Sequence, residues 1–113
     1  MLKRIFLLFC LLPCFVYADS WTGKEKVTVI YAGYSGFILF ETTGAIINPA
    51  SCPDATKYAY EGSEGEINRV LSVLLAAQKS GSLIKVAESS SQCGTGGVAF
   101  LSGKVVASRI AAY

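Results

Sequence analysis

Acidic side chains are the first candidates for chemistry in this sequence. Two carboxylates can hydrolyse a glycosidic bond, one as general acid and the other as base or nucleophile, and the acids available for such a pair are Glu41, Glu61, Glu64, Glu66 and Glu88. Glu64 and Glu66, however, begin the clearest helix, where acids favour the helix dipole and cap the first turn. Glu41 and Glu88 are expected at solvent-facing strand positions. The sequence contains no histidine, which excludes a Ser or Cys nucleophile paired with His, so we predict no catalytic residues and no enzyme activity.

The cysteines indicate a structural disulfide. Two of the four, Cys10 and Cys14, lie in the apolar N-terminal stretch, which leaves Cys52 and Cys93 for the rest of the chain. Neither belongs to a C-x-x-C pair, the arrangement that redox enzymes use, and a metal site would lack histidine and further cysteine ligands. In an oxidising compartment the two remaining cysteines pair with each other. The sequence therefore predicts a Cys52–Cys93 disulfide and no bound metal.

A glycine-rich stretch at residues 94–97 has the composition of a phosphate-binding loop. Such a loop needs a following Lys-Ser/Thr pair and the N-terminus of a helix, and the sequence after residue 97 provides neither. We interpret the stretch as a hairpin turn next to the disulfide, and we predict no cofactor.

Aromatic side chains are the remaining candidates for a binding site. Tyr and Trp combine an apolar face with a polar edge, which suits sugar rings and protein partners alike. Trp21 precedes the first predicted strand and Tyr34 lies in a predicted turn, so Trp21 and Tyr34 are the predicted ligand-binding residues. The other aromatic residues that lie in strands are expected to pack across a sheet; these are Tyr31, Phe37, Tyr58 and Tyr60.

The N-terminus has the three-part pattern of a secretory signal peptide. Lys3 and Arg4 precede an apolar run over residues 5–16, and Ala18 ends the stretch just before polar residues. The run is shorter than the roughly 20 residues that a membrane-spanning helix needs, and Pro13 interrupts it. We predict a cleavable signal peptide at residues 1–18. The remaining residues, 19–113, are predicted to form a single periplasmic or secreted domain with no stable membrane insertion.

Charge argues against nucleic acid as a partner. The chain has ten Lys and Arg residues and eight Asp and Glu residues, a net charge of +2. Lys3 and Arg4 belong to the predicted signal peptide, so the remaining domain is neutral. A neutral domain with scattered charges lacks the basic face that binds a phosphate backbone. No basic amphipathic stretch follows residue 18 to hold the domain on a membrane surface.

Alternation of apolar and polar residues predicts several strands. Residues 27–41 read as a hairpin, residues 58–61 as a short strand, and residues 83–88 as a half-exposed strand. A last strand, turn and strand are predicted over residues 98–110. The chain thus has strands at both ends and a different pattern between them.

The central segment predicts one helix. Ser63 and Glu66 have the spacing of a capping box, apolar residues then recur at helical spacing, and Gly81 suits a left-handed C-cap. We predict a helix over about residues 64–80. A helix that follows about three strands and precedes the last two or three is the order of the OB barrel. An open sheet under one helix has nearly the same order, so we predict an α+β, mainly β domain with an OB-like curled antiparallel sheet or barrel of about five strands.

Three short features carry a resemblance to known proteins: Trp21-Thr22-Gly23, the helix end at residues 76–81 leading into residues 83–86, and the late Cys93. With these features the chain resembles small exported proteins of Gram-negative bacteria. More distantly, it resembles the receptor-binding B subunits of pentameric toxins of the subtilase-cytotoxin and typhoid-toxin type. The resemblance implies an OB fold, a glycan ligand and a homo-oligomer. It transfers no individual sugar-binding residue to this chain.

Taken together, the sequence predicts a non-enzymatic exported binding module with a glycan or protein ligand. A structural or accessory protein of the cell envelope, or a periplasmic inhibitor, would have the same size and disulfide. A surface site at Trp21 and Tyr34 is what separates the first hypothesis from these alternatives.

Overall fold

The structure is a computed structural model that describes residues 20–95 and 101–113. The predicted signal peptide and residues 98–100 of a predicted strand lie outside the described residues. The elements in chain order are β1 (Ser20–Trp21), β2 (Glu25–Tyr31), β3 (Phe37–Thr42), β4 (Asp54–Glu61), α1 (Glu64–Ser80), β5 (Leu83–Cys93) and β6 (Lys104–Ala112). Among these residues no helix is long and apolar enough to cross a membrane.

Five of the strands close into a barrel. Neighbouring strands follow the order β5-β2-β3-β4-β6, and β6 pairs again with β5. The β4–β6 pair is parallel and the other pairs are antiparallel. Closure occurs where Glu25 pairs with Ile84 and Lys26 with Leu83. The predicted α+β, OB-like fold is confirmed, and of the two architectures that the sequence allowed, the structure is the barrel.

The barrel interior is filled by alternate residues of the strands. On β5, Ile84 and Val86 point inward, and on the opposite wall the rings of Phe40 and Tyr58 pack with their centroids 5.2 Å apart. This alternation is the period of a strand with one face buried. The buried members of this cluster, which include helix residues, are Val27, Ile38, Phe40, Cys52, Tyr58, Ile67, Leu74, Ala77, Ile84, Val86, Val105 and Ala107.

Helix α1 packs on the barrel through a single apolar face. Its buried residues Ile67, Leu74 and Ala77 recur at helical spacing. Ser63 Oγ accepts a hydrogen bond from the Glu66 backbone N–H at 3.3 Å, and Gly81 adopts the left-handed conformation at the C-cap. The predicted helix boundaries are therefore confirmed. The second half of the capping box differs, because the Glu66 carboxylate accepts from the Ser63 hydroxyl instead of the Ser63 backbone.

Two strands are longer than the sequence pattern predicts. β4 begins at Asp54, where it pairs with Lys104 of β6 and the two side chains form an ion pair. This interaction lowers the pKa of Asp54 to about 2. β5 continues past Glu88 to Cys93, which pairs with Val105. The extra length comes from partners distant in sequence, which a local pattern does not contain.

The predicted disulfide between Cys52 and Cys93 is confirmed. It joins the segment before β4 to the end of β5, with the two Cα atoms 5.6 Å apart. Asn48 fixes the Cys52 end: its side-chain amide donates to the Cys52 carbonyl at 2.6 Å and accepts from the Cys52 N–H at 2.7 Å. The bridge therefore closes a long irregular segment onto the barrel.

Replacing Cys52 and Cys93 together by Ala should lower the free energy of unfolding by about 4 kcal/mol. The reason is that the bridge closes a loop of some forty residues and so reduces the conformational entropy of the unfolded chain. Urea unfolding of the oxidised protein and of the double variant measures this difference. A loss below about 1 kcal/mol would show that the bridge strains the folded state or that the unfolded chain is already compact.

Candidate functional site

Trp21 lies in an exposed position that the backbone holds in place. It pairs with Ala87 at the edge formed by β1 and β5. The next residue, Thr22, is buried; its N–H donates to the Val86 carbonyl at 2.9 Å, and its hydroxyl accepts from the Val86 N–H at 3.0 Å. The Trp21 side chain nevertheless remains 45% exposed. An aromatic ring on a fixed backbone and open to solvent is a typical binding platform.

Arg109 lies over the indole of Trp21. The two residues pair with the same residue, Ala87, from its two sides, so their side chains emerge on one face of the sheet. Ala87 is fully buried and small, and it leaves room for the longer side chains to meet above it. The guanidinium carbon is 5.7 Å from a ring centroid of the indole, which is within the range of cation–π attraction.

Beside this pair runs a groove of about 340 Å³ between α1 and β6, here called the Trp21 groove. Val70, Val73 and Ile110 provide apolar surface, while Arg69 and Arg109 add two positive charges. No described residue that lines it is acidic. The full lining is Trp21, Tyr60, Arg69, Val70, Val73, Ser108, Arg109 and Ile110.

A second groove of about 220 Å³, here called the Tyr113 groove, continues along the same two elements. Val73 lines both grooves and is 38% exposed, so the two form one channel along α1 and β6. At the far end Tyr113 is 57% exposed, and Lys24 and Lys85 place their Nζ atoms 4.5 Å and 5.9 Å from its ring centroid. Each end of the channel therefore combines an aromatic ring with positive charge.

Tyr34 lies elsewhere and belongs partly to the core. Its ring stacks on Phe37 with the centroids 4.7 Å apart, and it packs against the small cluster that contains Leu39 and Leu101. It also lines a depression of about 320 Å³ between the β2–β3 turn and the start of α1. Trp21 does not line that depression, so the structure does not bring the two predicted binding residues together.

The remaining aromatic residues lie on the sheet, as their strand positions predicted. Tyr58 and Phe37 are buried, and Tyr31 and Tyr60 are half-buried. Tyr60 also lines the Trp21 groove. Tyr60 belongs to the candidate site because the tertiary structure places it next to α1, which its strand pattern alone did not predict.

The backbone of Gly94 takes part in the fold. Its N–H donates to the Lys104 carbonyl at 2.8 Å, and its carbonyl accepts from the Gly103 N–H at 3.2 Å. The neighbouring Leu101 carbonyl leaves no room for a Cβ at this position. Gly94 is thus a close-packing glycine whose N–H is not available to a phosphate. Residues 96 and 97 lie outside the described part of the chain.

Glu88 corrects one sequence prediction, because it is fully buried instead of facing solvent. It shares the inward face of β5 with Ile84 and Val86, and closure of the barrel covers that face. The sequence did contain a signal for this burial, because Glu88 follows Val86 by two residues and such residues of a strand share one face. Glu41, the other acid expected to face solvent, is half-buried and accepts a hydrogen bond from the Tyr31 hydroxyl at 2.6 Å.

A second acid, Glu25, is buried on β2 and was not singled out by the sequence. It accepts a hydrogen bond from the Thr42 hydroxyl at 2.5 Å and packs so closely on Gly44 that a Cβ there would displace the Glu25 side chain. Burial raises the pKa of Glu88 to about 7; the charge of Glu25 raises it as well, while the Tyr58 hydroxyl and the Ile47 backbone act in the opposite direction.

The hydroxyl of Tyr58 faces the same interior space. Burial raises its pKa above the ordinary value, and the charge of Glu88 adds to the effect. Within the described residues, neither this hydroxyl nor the Glu88 carboxylate oxygens make a hydrogen bond of good geometry. A buried carboxylate without such bonds is costly when ionised. The barrel interior therefore favours the neutral form of Glu88.

Replacing Glu88 by Gln should stabilise the protein at pH 8 by on the order of 2 kcal/mol, and less at about pH 4.5. The pKa of Glu88 in the folded protein lies above that of an exposed Glu. The contribution of this residue to the free energy of unfolding is therefore fully present at low pH and is lost as the pH rises from about 4.5 to about 7. Urea unfolding at both pH values tests this. An equal effect at the two pH values would show that ionisation of Glu88 does not oppose folding.

The protein was also compared with known proteins. No family model, no curated protein and no solved structure matches the chain. The fold and the groove are therefore described from the structure alone.

Proposed function

We propose that this protein is an exported, non-enzymatic binding module whose ligand docks in the Trp21 groove. The observation that carries the proposal is the exposed indole of Trp21 above an apolar groove, on a backbone fixed by the pairing with β5. Binding sites of this kind are concave and largely apolar, with a few polar groups that orient the ligand. Arg69 and Arg109 are such groups here.

Export is supported by two independent features. The disulfide between Cys52 and Cys93 is of the kind that persists in oxidising compartments. Residues 1–18 have the pattern of a signal peptide, which would deliver the domain there. The proposed location is therefore the periplasm or the exterior of the cell.

The shape of the site favours a protein ligand over a glycan. A sugar ring could stack on Trp21 and reach the arginines, and it would leave the Tyr113 groove empty. The channel formed by the two grooves instead follows α1 and β6 and has aromatic side chains at both ends. A chain-like ligand would use its whole length. We therefore take a protein segment as the ligand.

Replacing Trp21 by Ala should weaken ligand binding at least about tenfold without unfolding the protein, because the side chain is exposed and the pairing of β1 uses its backbone. The test is to probe a phage-displayed peptide library and a glycan array with the exported protein. Val29→Ala is the matched control, since Val29 is 38% exposed and lies outside the groove. We expect peptides that bind the parent and the Val29→Ala variant and that lose at least about tenfold in affinity with the Trp21→Ala variant.

Two results would contradict the proposal. Absence of any ligand on both arrays would favour a structural or accessory envelope protein. Ligands that bind the Trp21→Ala variant unchanged would place the binding site elsewhere. Ligands found only on the glycan array, and dependent on Trp21, would keep the binding module and the groove but replace protein by glycan.

A further inference from the structure

We propose that the partner of the Trp21 groove is an acidic protein segment, one of whose carboxylates binds between Arg69 and Arg109. This inference rests on the proposed function and names the chemistry of its ligand. It follows from the positions of the two arginines, from the placement of the chain's own acids elsewhere, and from the apolar surface of the groove.

The two arginines approach the groove from its two walls. Arg69 lies on α1 and Arg109 on β6, and both are exposed side chains that line the groove. Trp21 orients the second of them, because the guanidinium carbon of Arg109 is 5.7 Å from a ring centroid of the indole. Arginine binds a carboxylate through two parallel hydrogen bonds. A carboxylate in the groove is therefore attracted from both walls.

The acidic side chains of the described residues have positions or partners away from this groove. Glu25 and Glu88 are buried in the barrel. Glu64 and Glu66 lie in the first turn of α1, where Glu66 accepts a hydrogen bond from the Ser63 hydroxyl. The remaining acids bind hydroxyl or ammonium groups of other residues: Glu41 with Tyr31, Glu61 with Thr95, and Asp54 with Lys104. The described part of the chain thus offers no carboxylate to the two arginines, and a partner would supply it.

Apolar surface beside the arginines determines what accompanies the carboxylate. Val70, Val73 and Ile110 line the same groove, and Val73 is 38% exposed. Covering such surface stabilises a complex because it removes apolar area from water. A small carboxylate such as acetate would leave this surface uncovered. The groove therefore favours an acidic residue that is accompanied by bulky aliphatic residues of the same protein segment.

A second positively charged site lies farther along the channel. Lys24 and Lys85 place their Nζ atoms 4.5 Å and 5.9 Å from the ring centroid of Tyr113. Tyr113 lines the Tyr113 groove, which shares Val73 with the Trp21 groove. A segment with several acidic residues would meet positive charge at both ends of the channel. We therefore expect the affinity to rise with the number of acidic residues in the segment.

The probe for this inference is the capped peptide Glu-Leu-Glu-Leu-Glu. Its matched control replaces each Glu by Gln, which has a similar size and no charge, and a second control replaces each Glu by Lys. Trp21 is the single tryptophan of the chain, so its fluorescence reports on the groove, and titration calorimetry gives the affinity. We expect the Glu peptide to bind at least about tenfold more tightly than the Gln peptide, the Lys peptide not to bind, and added salt to weaken the complex.

Reversal of single charges locates the site. Arg69→Glu and Arg109→Glu should each weaken binding of the Glu peptide at least about threefold, and the double variant at least about tenfold. Lys57→Glu is the matched control, because it changes the net charge equally while Lys57 lies over Tyr31 and lines neither groove. We expect it to change the affinity less than about twofold. The double variant should also bind the Lys peptide more tightly than the Gln peptide, since the charge of the groove is then reversed.

Asp19 is the one acidic residue outside the described part of the chain. Replacing Asp19 by Asn tests whether this chain supplies its own carboxylate to the arginines. We expect the parent and the Asp19→Asn variant to bind the Glu peptide equally. A Glu peptide that binds the Asp19→Asn variant and not the parent would assign the two arginines to Asp19 and overturn the inference.

Other outcomes would overturn it as well. Equal binding of the Glu and Gln peptides would show that the groove does not recognise charge. Inorganic phosphate that displaces the Glu peptide far more effectively than chloride at the same ionic strength would make a phosphate group the ligand. If the Glu peptide does not bind while other peptides or glycans still bind through Trp21, this inference fails and the proposed function stands. If no ligand depends on Trp21, both fail.

Discussion

Pairing along β5 is the constraint on which the rest of the structure depends. This strand pairs with β1, β2 and β6, and its last residue carries the disulfide. Its contact with β2 involves only two residue pairs, yet it is the one that closes the barrel. Once β5 is in place, Trp21 and Arg109 must lie on either side of Ala87. The candidate site is therefore a direct consequence of the pairings of β5 with β1 and β6.

The same closure buries Glu88, which is a cost that the fold tolerates. A hydrophobic residue of similar volume would pack in this interior without a desolvation penalty. Glu88 also pairs in register with Ser20, the residue before Trp21. The buried carboxyl group of Glu88 therefore lies on the same strand pairing as Trp21, one residue pair away from the exposed indole.

Charge is unevenly distributed in a chain whose residues 19–113 carry equal numbers of basic and acidic side chains. Two acids, Glu25 and Glu88, are buried in the barrel and do not contribute to its surface. Others cap α1 or pair with Lys104. The arginines and lysines along the channel keep their charges next to aromatic rings, where cation–π contacts orient them without neutralising them. A neutral composition thus conceals a positively charged groove.

The sequence by itself determined the features that depend on near neighbours or on composition. The helix with its caps at Ser63 and Gly81 follows from interactions within a few residues of each other, and the Cys52–Cys93 bridge follows from having only two cysteines outside the apolar N-terminal stretch. The α+β class and the order of strands follow from the alternation of apolar residues. The tertiary structure alone decided the choice of barrel over open sheet, because closure joins Glu25 to Ile84 across most of the domain. It also separated Trp21 from Tyr34 and brought Arg109 to the indole, since those relations depend on which strands lie side by side, and pairing between distant strands leaves no local trace in the sequence.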